Sequence, residues 1–132
     1  MTNDPNVNLT VLVVDDNTVI RELVTRQLAK LGITSQTAVN GKDALEKLAE
    51  RDFGIVLMDV QMPEMDGIAA TQEVRRIEEA QGKHTTIIAL TGHGSRVECL
   101  AAGMDDFIAK PMNIATLKST LQKWVPNFVF AS

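Results

Sequence analysis

The sequence predicts an α/β fold, with about five parallel strands and helices on both faces of the sheet. Short apolar runs of four or five residues alternate with longer segments whose apolar residues recur every three or four positions. Most of the apolar runs end at a polar residue, and glycine or proline ends several of the helical segments. This alternation is typical of parallel sheets whose strands are joined by right-handed helical crossovers.

Each predicted element follows from one of two patterns. The runs at 10–14, 55–58 and 87–90 are continuously apolar or β-branched, which indicates strands buried on both faces. The helical segments carry one apolar stripe each, and three of them end at Gly32, Gly103 and Pro126. In chain order, the sequence predicts a strand at 10–14, a helix at 20–31, a weak strand at 33–39, a helix at 44–49, a strand at 55–58, a helix at 68–77, a strand at 87–90, a short helix at 97–102, a strand at 107–109 and a helix at 114–124.

The chain has 132 residues, which is close to the ordinary size of one domain. We predict an N-terminal tail at 1–8, a domain at 9–126 and a C-terminal tail at 127–132. The residues at 127–130 are apolar for a terminus, which fits either truncation of a longer chain or packing on the domain.

Composition excludes several classes of protein. Hydrophobic residues make up 45% of the chain and charged residues 23%, which is too apolar for a disordered chain. The net charge of −4 argues against direct binding to nucleic acid. We expect no membrane contact, because no apolar run approaches the roughly 20 residues of a membrane span. With a single cysteine, Cys99, the chain has no internal disulfide, so we expect a cytoplasmic location.

Polar residues stand where the predicted strands end. They are Asp15 and Asp16 after the first strand, Asp59 after the third, Thr91 after the fourth and Lys110 after the fifth. Because parallel strands place their carboxyl ends at one edge of the sheet, where ligands bind in such folds, we expect these side chains to converge.

Converging carboxylates repel one another. Two charges about 5 Å apart at an effective dielectric constant near 20 cost roughly 3 kcal/mol. Such a site raises a carboxyl pKa, binds a cation, or does both. Mg²⁺ takes carboxylate oxygens, water and phosphoryl oxygen as ligands, and lysine and threonine side chains can bind the same phosphoryl group. The residues therefore favour a phosphoryl group at a carboxylate.

Each residue alone also has an ordinary structural explanation. The run Asp15–Asn17 before a helix is typical of an N-cap, Asp59 and Thr91 could simply end strands, and Lys110 could be a surface charge. Their combination at one edge of one sheet favours the functional interpretation.

The sequence also resembles a known family, the response regulator receiver domains of two-component signalling. The resemblance extends from Leu9 to Val125 and is closest to receivers fused to hybrid histidine kinases. It implies a three-layer (βα)5 flavodoxin-like sandwich with the sheet order 2-1-3-4-5. The matching segments, in order, are Val11–Asn17, Leu57–Gly67, Ala89–Gly92 and Gly103–Pro111.

The resemblance implies a role for each residue at the edge. Asp59 would accept a phosphoryl group from a phosphohistidine, so that the domain would catalyse its own phosphorylation and slow dephosphorylation. Asp16, Asp59 and the main-chain carbonyl of Gln61 would bind Mg²⁺ directly, and Asp15 would do so through water. Mn²⁺ is the alternative ion.

Lys110 and Thr91 would hold the phosphoryl oxygens. Thr91 and Phe107 would form a switch pair that responds to the new charge, although Phe107 could equally be an ordinary core residue. The resemblance also implies a cis bond between Lys110 and Pro111.

Further residues are expected in the loops after Asp59 and Thr91, where Gln61 would also border the phosphoryl group. Pro63 and Gly67 would shape the loop after Asp59. His93 would border the phosphoryl group or be an ordinary loop residue.

The expected partners are a histidine kinase, a histidine-containing phosphotransfer domain, or both. The phosphotransfer domain would contact the first helix, where Thr18, Val19 and Glu22 are candidates. The structural alternative is that Val19 seats this helix on the sheet. The chain would be a stand-alone receiver or part of a longer hybrid histidine kinase.

Two other functions share features with this sequence. A flavodoxin-like cofactor binder would have the same fold, but it needs a phosphate-binding loop where this chain has Asp15 and Asp16. A haloacid-dehalogenase-type phosphatase also uses an aspartate nucleophile, but with a second aspartate two residues on, where this chain has Gln61. A third possibility is a receiver that binds partners without being phosphorylated.

Overall fold

The computed structural model describes residues 9–62, 65–92, 96–110 and 112–131. Strands and helices alternate along the described chain, as the sequence predicts. The elements are β1 (Thr10–Val14), α1 (Thr18–Lys30), β2 (Thr34–Ala38), α2 (Gly41–Glu50), β3 (Ile55–Asp59), α3 (Gly67–Gln81), β4 (Thr86–Thr91), α4 (Arg96–Ala101), β5 (Asp106–Ala109) and α5 (Ile114–Trp124).

The five strands form one parallel sheet in the order β2-β1-β3-β4-β5, which confirms the predicted fold. β1 and β3 are neighbours in the sheet, with Val14 opposite Met58. Asp15 follows β1 directly and Asp59 is the last residue of β3, so the two aspartates lie side by side at the carboxyl edge.

The sheet separates two layers of hydrophobic core. Val11 and Val13 of β1 face the layer under α1 and α5, whereas Leu12 and Val14 face the layer under α2, α3 and α4. Every residue of β1 and β3 is buried. Because both faces of these strands are covered, their side chains other than Thr10 and Asp59 are apolar without alternation.

The first residue of a helix is fixed by a side chain that caps it with hydrogen bonds, and the apolar stripe alone does not specify that residue. Asn17 caps α1, and Asp66 caps α3 through a bond from Ala69 N to its Oδ1 at 2.8 Å. α3 ends at Gly82, whose φ of 65° lies in the left-handed region. α3 is therefore longer than the predicted 68–77.

The C-terminal segment at 127–131 lies against the domain. Phe128 is buried in the core layer under α1 and α5, and its ring packs edge-on against Phe130 at 5.0 Å between centroids. The amide of Ala131 donates to the carbonyl of Leu31 at 2.9 Å. Packing thus explains the two phenylalanines, whereas Val129 is exposed.

Within the described ranges, none of the helices combines the length and the apolar character that a bilayer-spanning segment requires.

Candidate functional site

Three carboxylates meet at the carboxyl edge of β1 and β3. Asp15, Asp16 and Asp59 each offer an oxygen that lies within 4.8 Å of the others. Asp15 and Asp59 are buried, at 1% and 5% exposure, whereas Asp16 is exposed. The structure therefore brings the predicted acidic residues together.

Lys110 bridges the two buried aspartates. Its Nζ lies 2.8 Å from Asp15 Oδ2 and 3.2 Å from Asp59 Oδ1. Burial alone would lower the pKa of the ammonium group, but the hydrogen bond to Asp15 and the charge of Asp59 outweigh burial and raise the pKa of Lys110 above its usual value. Lys110 is therefore a fixed positive charge at the centre of the site.

Burial raises the pKa of the Asp59 carboxyl from 3.8 to about 6, and the charge of Asp15 adds to this effect. Lys110 and a hydrogen bond from the Gln61 amide to Asp59 Oδ1, at 3.3 Å, act in the opposite direction without cancelling it. Near neutral pH, Asp59 is thus an anion that the folded domain holds at a cost in free energy.

Asn17, and neither of the two aspartates before it, provides the N-cap of α1. Its Oδ1 accepts from the amides of Val19, at 2.9 Å, and Ile20, at 3.1 Å. The amide of Asn17 in turn donates to Asp15 Oδ1 at 2.9 Å. The capping role that the sequence allowed for this run therefore belongs to Asn17, and the carboxylates of Asp15 and Asp16 face the site.

The loop after Asp59 requires glycine where the sequence predicts Gly67 as a shaping residue. A Cβ at position 67 would lie 2.2 Å from the carbonyl oxygen of Asp59. The Gly67 amide also donates to the carbonyl of Val60 at 3.0 Å. Because only glycine permits this approach, the prediction for Gly67 is confirmed.

Thr91 and Phe107 occupy neighbouring strands. Thr91 is the last residue of β4 and is buried, and its carbonyl accepts from the Lys110 amide at 2.8 Å. Phe107 lies on β5, half-buried against the core layer under α2, α3 and α4. Gln61 is exposed, two residues after Asp59. The predictions for Pro63, His93 and Pro111 lie outside the described residues.

Two residues of the site were missed by the sequence analysis. Arg21 of α1 donates from Nη1 to the carbonyl of Asp15 at 2.7 Å. The amide of Gly41 in α2 donates to the carbonyl of Met65 at 3.0 Å, which ties down the loop that follows Asp59. Nothing in the sequence distinguishes Arg21 from other arginines on the polar face of a helix. A glycine at the start of a helix, such as Gly41, is a weak indication of a close backbone contact.

The family model for the response regulator receiver domain matches residues 11–122, which is most of the chain. The chain belongs to the response regulator receiver family. Both the predicted family and the predicted fold are therefore confirmed.

Known relatives of this receiver domain include hybrid signal transduction proteins and histidine kinases. The hybrid signal transduction protein dokA of Dictyostelium discoideum is 39% identical over 115 residues, covering 87% of this chain and 7% of dokA. The receiver domain thus spans a small part of the length of such relatives.

Two solved structures are similar to this receiver domain. The receiver domain of the sensor histidine kinase PA1611 of Pseudomonas aeruginosa, which holds a magnesium ion in its active site cleft, is 34% identical with a TM-score of 0.81, covering 90% of this chain and 98% of that one. The second contains the receiver domain of Ssk1 in complex with the histidine phosphotransfer protein Ypd1, both from Saccharomyces cerevisiae. The chain matched in this structure is 28% identical to this receiver domain with a TM-score of 0.84, and the match covers 90% of each of the two chains.

The first helix of this receiver domain presents its predicted partner residues to solvent. Thr18, Val19 and Glu22 are all exposed, and 71% of Val19 is accessible. The alternative that Val19 seats α1 on the sheet is therefore wrong. Leu23, which the sequence analysis did not select, is 42% exposed and lies one turn further along α1.

We expect Asp59→Asn to stabilise the metal-free receiver domain. The pKa of Asp59 is raised in the folded state to about 6, so the folded domain loses stability as pH rises from 3.8 to about 6. After allowance for solvent screening, the loss above this range is about 1–2 kcal/mol. An asparagine side chain at this position carries no charge and avoids the loss.

Thermal melting in a metal chelator, from about pH 4 to about pH 8, measures the effect. The melting temperature of Asp59→Asn should exceed that of the wild type by an amount that grows with pH and then levels off. Glu79→Gln, which removes an exposed carboxylate of α3, should show no such trend. A lower melting temperature for Asp59→Asn at neutral pH would contradict the account.

Proposed function

We propose that this receiver domain takes a phosphoryl group from a phosphohistidine onto Asp59, as one step of a two-component phosphorelay. The observation that carries the proposal is the contact of Lys110 Nζ with Asp59 Oδ1, at 3.2 Å, inside a cluster of three carboxylates. Such a cluster is costly to maintain for stability alone, which supports a function in binding a phosphoryl group.

Asp59 acts as the nucleophile. A carboxylate oxygen of Asp59 attacks the phosphorus atom, the bond between phosphorus and the histidine nitrogen breaks, and the imidazole leaves with that electron pair. The product is an acyl phosphate on Asp59. The Lys110 ammonium group balances the charge of the phosphoryl oxygens, and the Thr91 hydroxyl donates a hydrogen bond to one of them. Slow attack of water on the acyl phosphate would restore the carboxylate.

The donor set fits Mg²⁺, a hard cation that takes oxygen ligands. Asp16, Asp59 and the main-chain carbonyl of Gln61 are the proposed direct ligands. Both oxygens of Asp15 already accept hydrogen bonds, from the Asn17 amide and from Lys110, which favours its contact through water. When bound, the ion neutralises charge on the carboxylates and on the transferred phosphoryl group. The magnesium ion in the PA1611 receiver supports this assignment, and Mn²⁺ is a second candidate.

Thr91 and Phe107 are the proposed switch pair. A phosphoryl group adds about −1.5 to −2 charges beside a buried hydroxyl, which gives Thr91 a reason to move towards it. Phe107, half-buried on the neighbouring strand, can follow into the space that this movement leaves.

The two alternative functions gain no support. Asp15 and Asp16 follow β1, in place of the glycine-rich loop that would bind a cofactor phosphate. The relatives described above are signalling proteins, and neither flavodoxins nor phosphatases are among them.

The proposed partner is a histidine-containing phosphotransfer protein that binds the exposed face of α1. Val19 and Leu23 form an apolar patch on that face, and Thr18 and Glu22 lie beside it. The complex of Ypd1 with the Ssk1 receiver supports a partner of this class. The hybrid histidine kinases among the relatives support a histidine kinase as the source of the phosphoryl group, in a longer hybrid kinase. A cytoplasmic setting is part of the proposal because the single cysteine fits a reducing compartment.

Incubation with acetyl phosphate and Mg²⁺ tests the phosphoacceptor directly. We expect intact mass spectrometry to show the addition of one phosphoryl group to the wild type and none to Asp59→Asn, because asparagine lacks the nucleophilic oxygen. Peptide mapping should place the group on Asp59. Asp66→Asn serves as a control for an aspartate in the same loop, and a phosphoryl group that persists on Asp59→Asn would contradict the proposal.

Val19→Asp tests the partner surface. We expect it to slow phosphoryl transfer from phosphorylated Ypd1 by about 10-fold, because an apolar contact of this size contributes roughly 1–2 kcal/mol. Modification by acetyl phosphate should be unchanged, since that small donor needs no docking surface. Val97→Asp, at an equally exposed valine on α4, is the matched control. Equal effects of the two substitutions on transfer would contradict the assignment of α1.

A further inference from the structure

Arg21 joins α1 to the end of β1. Its Nη1 donates to the carbonyl of Asp15 at 2.7 Å, and its Nη2 donates to the hydroxyl of Thr18 at 3.1 Å. From one turn inside α1, the Arg21 side chain therefore reaches back to the first residue of the helix and to the turn that carries Asp15 and Asp16.

This contact closes a ring of hydrogen bonds around the turn. The Asn17 amide donates to the Asp15 carboxylate at 2.9 Å, and the Arg21 amide donates to the Asn17 carbonyl at 3.0 Å. The Arg21 side chain then returns to the main chain of Asp15. Asp16 lies inside this ring, so its main chain is held on both sides while its carboxylate remains exposed at the site.

The charge of Arg21 and its hydrogen bonds act on a metal ion in opposite directions. A guanidinium charge beside the acidic cluster repels a divalent cation and weakens its binding. A turn held in place, in contrast, fixes the two aspartates before the ion arrives and strengthens binding. Removing Arg21 therefore changes the affinity for Mg²⁺ in a direction that shows which effect is larger.

We propose that Arg21 is a positioning residue for the acidic site, and that its hydrogen bonds to Asp15 and Thr18 outweigh its charge. The inference rests on the proposed function, because it assumes that Mg²⁺ binds to this cluster. The planar guanidinium reaches two acceptors at once, whereas the single ammonium group of lysine cannot reproduce this fork. Arg21→Lys should therefore retain only part of the effect of Arg21 on Mg²⁺ binding.

Titration calorimetry with Mg²⁺ on the unphosphorylated domain measures the effect. We expect Arg21→Met to weaken Mg²⁺ binding by about 10-fold and Arg21→Lys by about 3-fold, as for other residues that orient metal ligands. Arg26→Met removes the same charge from an exposed position further along α1 and should not weaken binding. Melting curves in chelator establish that each variant is folded at the titration temperature.

The possible outcomes separate the inference from the function on which it rests. Unchanged or tighter binding by folded Arg21→Met would overturn the positioning role and leave Arg21 as a neighbouring charge. If Arg21→Lys binds Mg²⁺ with the affinity of the wild type, the two simultaneous hydrogen bonds of the guanidinium group have no role in metal binding. Arg21→Lys therefore also decides the question if Arg21→Met does not fold. Absence of Mg²⁺ binding by the wild type would instead contradict the proposed function.

Discussion

The contact of one lysine with two buried aspartates decides most of what this site can do. Lys110 lies 2.8 Å from Asp15 Oδ2 and 3.2 Å from Asp59 Oδ1, yet a single positive charge cannot neutralise three carboxylates. Burial, and after it the charge of Asp15, raises the pKa of Asp59. The domain can relieve the imbalance of charge by taking up a proton or by binding a divalent cation.

The polar cluster at the opposite edge of the sheet shows how a purely structural arrangement differs. There Arg75 contacts Glu78 at 2.6 Å and Asp105 at 3.0 Å, and it also donates to the carbonyls of Thr85 and Gly103. Its donors are matched to acceptors, so the cluster joins the end of α3 to the start of β5, and its one guanidinium faces two carboxylates where Lys110 faces three. The excess of negative charge beside Lys110 is what distinguishes the candidate site, since stability gives no reason to retain it.

The helices and strands were predicted from local patterns, and the meeting of the acidic residues followed from the parallel sheet, whereas several other contacts between distant residues were not predicted. The runs that became β1 and β3 are apolar throughout because both faces of each strand are buried, and that pattern is visible in the sequence. The strand order came from the resemblance to receiver domains, since periodicity does not specify which strands pair. The packing of Phe128 was left open because its contacts come from residues far away in the chain. Arg21 was missed because its acceptor is a main-chain carbonyl, which leaves no trace in the sequence.

The central claim is that the crowded carboxylates are stabilised by a divalent ion, and melting with and without Mg²⁺ tests it most directly. At a Mg²⁺ concentration about 100 times the Kd, a single site adds about 2.7 kcal/mol to the free energy of unfolding. The account predicts a clear rise in the wild-type melting temperature and little or none in Asp16→Ala, whose substitution at an exposed position leaves the core intact. Equal rises in the two proteins would show that Mg²⁺ stabilises the domain without the proposed ligand and would contradict the account.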